Sequence, residues 1–365
     1  MSGVWGNRIK LSIFGESHGK AVGINIDGIP AGTKLDMDYI KEEMAKRAPG
    51  RNELSTPRME DDRFEILSGF FKGRTTGTPL CAVIYNSDQH SKDYEEDKDL
   101  MRPSHADFTG FIKYKGFNDY RGGGHFSGRL TAPLVFAGAV CRQILKSSGI
   151  IIGSHIKRIG NIEDKSFNMA DVKTETIELL NTSDFPLLNK DAEQAMKKTV
   201  MEAKEDNDSV GGIIETAVIN LPAGLGEPFF DSVESILSHL LFSIPAVKGV
   251  EFGAGFEMST MRGSEANDEF YMEGNKVKSY TNNNGGINGG ITNGMPLIFR
   301  VVVKPTPSIA KKQRTINIVK KEDAVLSIKG RHDPCIVPRA LPVVEAAAAI
   351  GILDLYFGEL IANNK

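Results

Sequence analysis

The apolar positions of the chain fall into two kinds of run. Short runs rich in Val, Ile and aromatic residues predict strands at 9–13, 21–26, 79–85, 213–221 and 297–304. Longer runs at helical spacing predict helices at 36–48, 130–147, 191–205, 231–242 and 339–362. Asp231-Ser-Val-Glu reads as a helix start, and Asn363-Asn364 as the end of the last helix. The segments 130–145 and 343–355 are apolar on nearly every face, which predicts helices covered on both sides. Strands follow strands more often than they alternate with helices, so a regular βαβ succession is not expected. The pattern predicts an α+β protein with antiparallel sheets and a few long buried helices.

Composition narrows this reading. The chain has 365 residues, 44 basic and 47 acidic side chains, and a net charge of −3. Such a balance argues against a main task of gripping nucleic acid or an anionic membrane. The apolar run at 130–141 is broken by Thr131 and Pro133 and is short of the ~18 residues of a membrane span. The first residues lack an apolar stretch of signal-peptide length, so the cytoplasm is the expected compartment. Cys81, Cys141 and Cys335 form no CxxC pair and leave one over, which argues against a disulfide framework or a thiolate metal site. No HxH or HxxxH pair offers a histidine metal site either.

Arginine is distributed unevenly. Nine of 16 arginines lie beside glycine or proline, against six of 28 lysines. Turns are where binding groups are displayed, and guanidinium forks suit carboxylate and phosphate. A small polyanionic ligand is the reading this supports. Glycine-rich stretches lie at 15–19, 122–128, 211–212, 222–228 and 285–290, and none has the spacing of a P-loop or a Rossmann fingerprint. Four of the seven histidines, His18, His105, His125 and His332, sit among small residues with a charged neighbour. A loop of that kind presents a titrating group to an anion. Gly15-Glu-Ser-His-Gly matches GxSxG only superficially, since it follows a strand in a β-rich context rather than entering a helix.

Nine segments taken in order carry a family resemblance. They are GESHG (15–19), RPSHADFT (102–109), DYRGGG…SGR (119–129), DSVGG (208–212), PAGLGEPFFD (222–231), AVKGVE (246–251), GGINGGI (285–291), KPTPSI (304–309) and GRHDPC (330–335). The chain resembles chorismate synthase from end to end. That resemblance implies one domain over 1–365, with long central helices sandwiched between antiparallel sheets, assembled as a homotetramer. It implies a lyase of the shikimate pathway. The substrate would be 5-enolpyruvylshikimate 3-phosphate, and chorismate would form by anti 1,4-elimination of phosphate with reduced FMN and no net redox change.

Site roles follow from the resemblance residue by residue. His18 is expected to protonate the departing phosphate, and His105 to keep the flavin neutral or balance its anion. Asp333 is expected as a base with Ser17 as its bridge. The expected flavin contacts are His125, Phe126, Ser127, Pro245, Ala246, Gly289, Lys304, Pro305, Thr306, Pro307, Ser308 and Arg331. The expected substrate arginines are Arg47, Arg51 and Arg129, with no metal. The chain departs from the common Arg-Ser-Ser-x-Arg-Glu pattern at His125, Phe126 and Leu130, so the flavin contact is expected to use backbone and Ser127 more than the side chain at 125. Glu53 also stands where some members carry arginine. Some members reduce their own flavin; without a separate nicotinamide fold, an external flavin reductase is the expected partner here. A nucleic-acid-binding module is disfavoured by the charge balance and by the lack of aromatic residues interleaved with basic ones.

Overall fold

The computed structural model describes residues 3–50, 62–86, 97–328 and 333–363. Two five-stranded sheets enclose a layer of helices. The first sheet has the antiparallel order Val4–Trp5, Lys10–Gly15, Ala21–Asp27, Leu80–Tyr85, Phe64–Ser68. Its strands bury one face, as the alternation Val22, Ile24, Ile26 requires. The second sheet has the order Val247–Phe252, Leu297–Val303, Gly212–Ile219, Ile151–Ile159, Ile162–Glu163, again antiparallel throughout.

The helices Met37–Arg47, Thr131–Ser147, Val233–Ser243 and Val337–Asn363 fill the layer between. Thr131–Ser147 packs on the first sheet and on Ile151–Ile159, while Val337–Asn363 packs on the second sheet. The two helices touch backbone to side chain, since a Cβ built on Gly138 would lie 2.2 Å from Cβ of Ala346. Any larger residue at 138 would push them apart, which is the packing reason for glycine inside a helix. Arg142 crosses this layer and pairs with Glu43 at 2.6 Å and Glu345 at 2.8 Å, tying three helices together.

The predicted strands and helices appear close to their expected places. Asp36 caps the first helix, its carboxylate accepting from the amides of Asp38 and Tyr39. Ser232 rather than Asp231 caps Val233–Ser243. The C-terminal helix is longer than its pattern, and it, not 130–141, is the longest apolar run. Its segment Val337–Leu360 is long and apolar enough to cross a membrane, but 89% of the apolar window is buried inside the fold. The helices Asp107–Lys113 and Thr174–Thr182 and the strand Ile151–Ile159 were not expected.

Ile151–Ile159 escapes an apolar pattern because polar residues interrupt it, and one of them, His155, belongs to a row of charge across the sheet. His155 lies opposite Glu215, which lies opposite Arg300, which lies opposite Glu251 across four strands. The row sits on the outer face of the second sheet, beside a small core of Phe167, Ile177, Leu180, Ala217, Ile219 and Ile298. His155 is fully buried, bonded to Asp164 at 3.0 Å and Glu215 at 2.9 Å. Burial opposes its charge, but hydrogen bonds to the two carboxylates outweigh it and raise its pKa. Asp164 and Glu215 are also opposed by burial, and the histidine's hydrogen bonds help hold both below the usual carboxylate range.

A raised histidine contributes stability fully below its unfolded pKa of about 6.5, and that contribution is lost as pH climbs through the folded value. Lowered carboxylates contribute above about 4 and lose that contribution as pH falls through their folded values. The gap in unfolding free energy between wild type and His155→Gln is therefore expected to be wider near pH ~5.5 than near pH ~8.5. Urea denaturation at the two values measures it, and an equal gap at both would contradict this assignment.

Candidate active site

The strand Lys10–Gly15 ends in the turn that carries Ser17 and His18, both buried. This turn docks on the triple glycine: the Ser17 amide donates to the Gly124 carbonyl at 3.1 Å. Gly122, Gly123 and Gly124 all have positive φ, at 59°, 93° and 53°. A Cβ on Gly122 would lie 2.2 Å from Cε1 of His18, and one on Gly123 would lie 3.1 Å from Cε1 of His105. The glycine turn is thus a shared wall for two imidazoles, and no side chain fits there.

Each ring is held through Nδ1. Ser17 Oγ lies 3.2 Å from His18 Nδ1 and 3.2 Å from the Arg121 carbonyl. A hydroxyl that donates to the carbonyl must accept from the ring, so the His18 proton on this side sits at Nδ1. His105 Nδ1 lies 2.7 Å from Asp107 Oδ1, and Asp107 also takes a two-pronged pair from Arg102 at 2.7 and 2.7 Å. His125 Nδ1 donates to the Gly15 carbonyl at 2.8 Å. Phe126 turns its ring away, onto Gly110 and the Tyr114 ring 6.1 Å off. The side chains of His125 and Phe126 are therefore engaged within the fold, and Leu130 is buried in the core. Arg121 pairs with Asp119 at 2.8 Å, and its hydrogen bond holds the Asp119 carboxyl below the usual range.

From His105 the contacts run on. The Ser104 carbonyl accepts from Lys304 Nζ at 2.6 Å, and the Lys304 amide donates to the Ala246 carbonyl at 2.9 Å. Ala246 has a φ of 75°, a strained value for a residue with a Cβ. Burial, then the neighbouring Lys248, lowers the Lys304 pKa. Ser209 Oγ donates to the Thr306 carbonyl at 2.7 Å, and the next amide, Val210, donates to Pro334 at 2.8 Å. Asp333 pairs with Arg339, whose Nε donates to the Arg47 carbonyl at 3.0 Å.

The last stretch closes the circuit. Arg47 grips Asp62 at 2.6 and 2.9 Å, and Arg129 grips the same carboxylate from another side. Burial opposes the Asp62 charge, but the two guanidiniums outweigh it and lower its pKa. Arg129 Nε donates to Asn86 Oδ1 at 2.9 Å, and Asn86 Nδ2 donates to the carbonyls of Glu16 and Gly19. The chain of contacts returns to the Ser17–His18 turn where it began. Ser17, His18, His105, His125, Ser127, Ala246, Lys304, Thr306, Asp333, Arg47 and Arg129 all stand on this ring or beside it.

Pro245, Pro305, Pro307 and the buried Ser308 flank its members in sequence. Gly289 lies at the turn between Ile287–Asn288 and Ile291–Thr292, and none of the hydrogen bonds above reaches it. Arg51 and Arg331 lie outside the described residues. Among the described residues no group of three or more His, Cys, Asp or Glu side chains is placed to hold a metal ion. Sequence reading missed Asp62, Asn86, Asp107, Asp119 and Arg339 as site residues. Asp107 and Asp119 carried a signal, since both lie within the quoted motifs, and so did Arg339, one of the nine arginines beside glycine or proline.

The sequence profile of chorismate synthase matches residues 9–357. The chain belongs to the chorismate synthase family. It is 48% identical to the chorismate synthase of Dehalococcoides mccartyi over 355 residues, 97% of this chain and 96% of that one. It is 46% identical to that of Methanobrevibacter smithii, covering 97% of this chain and 96% of the relative. A crystal structure of chorismate synthase matches the fold with a TM-score of 0.76 at 31% identity, over 98% of this chain and 94% of that one. Membership places the chain among enzymes, the chorismate-forming lyases, and bears out the α+β expectation.

Proposed function

We propose that the chain converts 5-enolpyruvylshikimate 3-phosphate to chorismate and phosphate by anti 1,4-elimination, with reduced FMN and no net redox change. The observation that carries this reading is the pair of imidazoles, His18 and His105, set on one glycine turn inside a ring that also bears Lys304, Arg47, Arg129 and Arg339. A substrate with a phosphate and two carboxylates needs that concentration of cations. Two imidazoles of separately fixed orientation can serve two proton positions.

The residues present fit a flavin. Thr306 Oγ1 is buried without a hydrogen-bond partner among the described residues, within a segment expected to touch the cofactor. A Cβ on Gly289 would meet nothing within 4 Å, so that turn leaves space beside its backbone. The residues that would hold the group are the backbone of 125–126, Ser127, Pro245, Ala246, Gly289, Lys304 to Ser308 and Arg331. When bound, reduced FMN would lend electron density and recover it with the ring hydrogen, whose proton would pass on to the base Asp333, so that its redox state is unchanged.

The protein's own part is binding and proton handling. His18, whose Nδ1 proton is held by Ser17, acts as the acid in its imidazolium form, which carries a second proton at Nε2 for the departing phosphate. His105 would keep the bound flavin in its neutral form or balance its anion. Asp333, gripped by Arg339, is the base, and Ser17 bridges to it once its hydroxyl leaves the Arg121 carbonyl. Arg47 and Arg129 bind substrate anions, and Arg51 is assigned the same task from the sequence alone. The enzyme acts in the cytoplasm as a homotetramer and receives reduced flavin from an external reductase. Phe229, Phe230 and Phe256, which are 87%, 90% and 81% exposed, support an assembly that covers them.

Purified protein with substrate and oxidised FMN is expected to stay inactive with NADPH and to turn over once FMN is chemically reduced. Steady NADPH oxidation without an added reductase would overturn the external source. His125→Ala is expected to weaken binding of reduced FMN by less than tenfold, about 1.4 kcal/mol, because its imidazole is spent on Gly15. An anaerobic titration measures this, and a loss matching that of Arg331→Ala would refute it.

A further inference from the structure

Asp107 is a hub that the proposed chemistry does not use. Its carboxylate accepts the Arg102 backbone amide at 3.0 Å, the Arg102 Nε and Nη2 at 2.7 Å each, and His105 Nδ1 at 2.7 Å. Asp107 and His105 are 15% and 16% exposed at the side chain, so little water competes for these bonds. Burial works against the carboxylate, but the bonds from His105 and Arg102 hold its pKa far below the usual range. An ionised carboxylate only accepts, so the His105 proton on that side must sit at Nδ1. The opposite edge of the ring, Cε1 and Nε2, faces the turn, where a Cβ on Gly123 would lie 3.3 Å from Nε2. Lys304 fixes the loop from its other side through the Ser104 carbonyl.

We propose that Asp107 is the positioning residue of His105: it fixes the proton at Nδ1 and so assigns the histidine's proton exchange to Nε2, on the side of the glycine turn. Arg102 holds the carboxylate in place for this task by its two-pronged grip. The arrangement follows the general rule that the partner of one ring nitrogen sets the role of the other. The proposal rests on His105 taking part in the reaction, and the test separates the two.

The full chain is labelled with 15N-histidine, and the His105 signals are assigned by their loss in His105→Gln. In wild type the neutral ring is expected to carry its proton at Nδ1. In Asp107→Asn, whose amide gives its oxygen to Arg102 and turns its NH2 toward the ring, the proton is expected to move to Nε2. Asp107→Ala is expected to do the same, and Asp107→Asn keeps the side-chain volume should the alanine variant fail to fold. Both variants are expected to lose on the order of 10–100-fold in kcat, the usual cost of removing such an orienting partner, with KM for the phosphorylated substrate little changed. A wild-type ring already protonated at Nε2, or a tautomer unmoved in Asp107→Asn, would overturn the proposal. So would an unchanged kcat in Asp107→Asn when His105→Gln is inactive. If His105→Gln keeps full activity, the reading of His105 fails, and the tautomer measurement alone decides the role of Asp107.

Discussion

His18→Ala is expected to lower kcat by about 10²–10⁴-fold, the range of a lost general acid, while the fold survives. The imidazole is buried, its Nδ1 is fixed by a serine whose hydroxyl is itself committed to the Arg121 carbonyl, and the glycine turn closes over the ring. Nothing in that arrangement lets another side chain replace it. The turn does not depend on the ring, because the Ser17 amide bonds to Gly124 and Asn86 bonds to Glu16 and Gly19. Far-ultraviolet circular dichroism should therefore match wild type. Phosphate release under anaerobic turnover with reduced FMN measures the effect, and a loss under about tenfold would remove His18 from the acid's role.

Asp62→Ala is expected to cost about 3–5 kcal/mol of stability, the usual result of removing one partner from a buried ion pair. Here one carboxylate, 1% exposed, serves two guanidiniums that are 4% and 5% exposed. Its loss leaves two buried cations facing each other. The variant carries a distinguishing signature, because an anion can take the place of the missing carboxylate. Inorganic phosphate or the phosphorylated substrate is expected to raise the melting temperature of Asp62→Ala more than that of wild type. Thermal unfolding with and without phosphate measures both parts. A destabilisation under about 1 kcal/mol would show that the arginines are satisfied without Asp62.

The sequence made the strands with a clean apolar face and the long helices readable, and it hid the elements whose polar residues are satisfied far away in the chain. Val22, Ile24 and Ile26 alternate, so their strand was evident. His155, Lys157 and Arg158 interrupt Ile151–Ile159, yet His155 is satisfied by Asp164 and Glu215 and fits the sheet as well as an apolar residue would. Asp107–Lys113 leaves Phe108 and Ile112 exposed, 46% and 58%, so no buried face marked it as a helix.

At the candidate site, glycine and histidine motifs announced themselves because tight turns around an imidazole restrict sequence locally. The carboxylates that orient the cations did not, since Asp62 is 67 positions from Arg129 in the chain and no local pattern links them. Asp107 lay in plain view two residues from His105. Its importance is geometric, and a motif does not say which nitrogen of a ring it holds.

The most direct measurement is an anaerobic turnover with purified protein, chemically reduced FMN and 5-enolpyruvylshikimate 3-phosphate, following chorismate absorbance, released phosphate and flavin absorbance together. Chorismate and phosphate in equal amounts, over many turnovers and with the flavin still reduced, are the expected result. Flavin oxidised in proportion to product, or no product from protein that binds reduced FMN, would contradict a redox-neutral lyase.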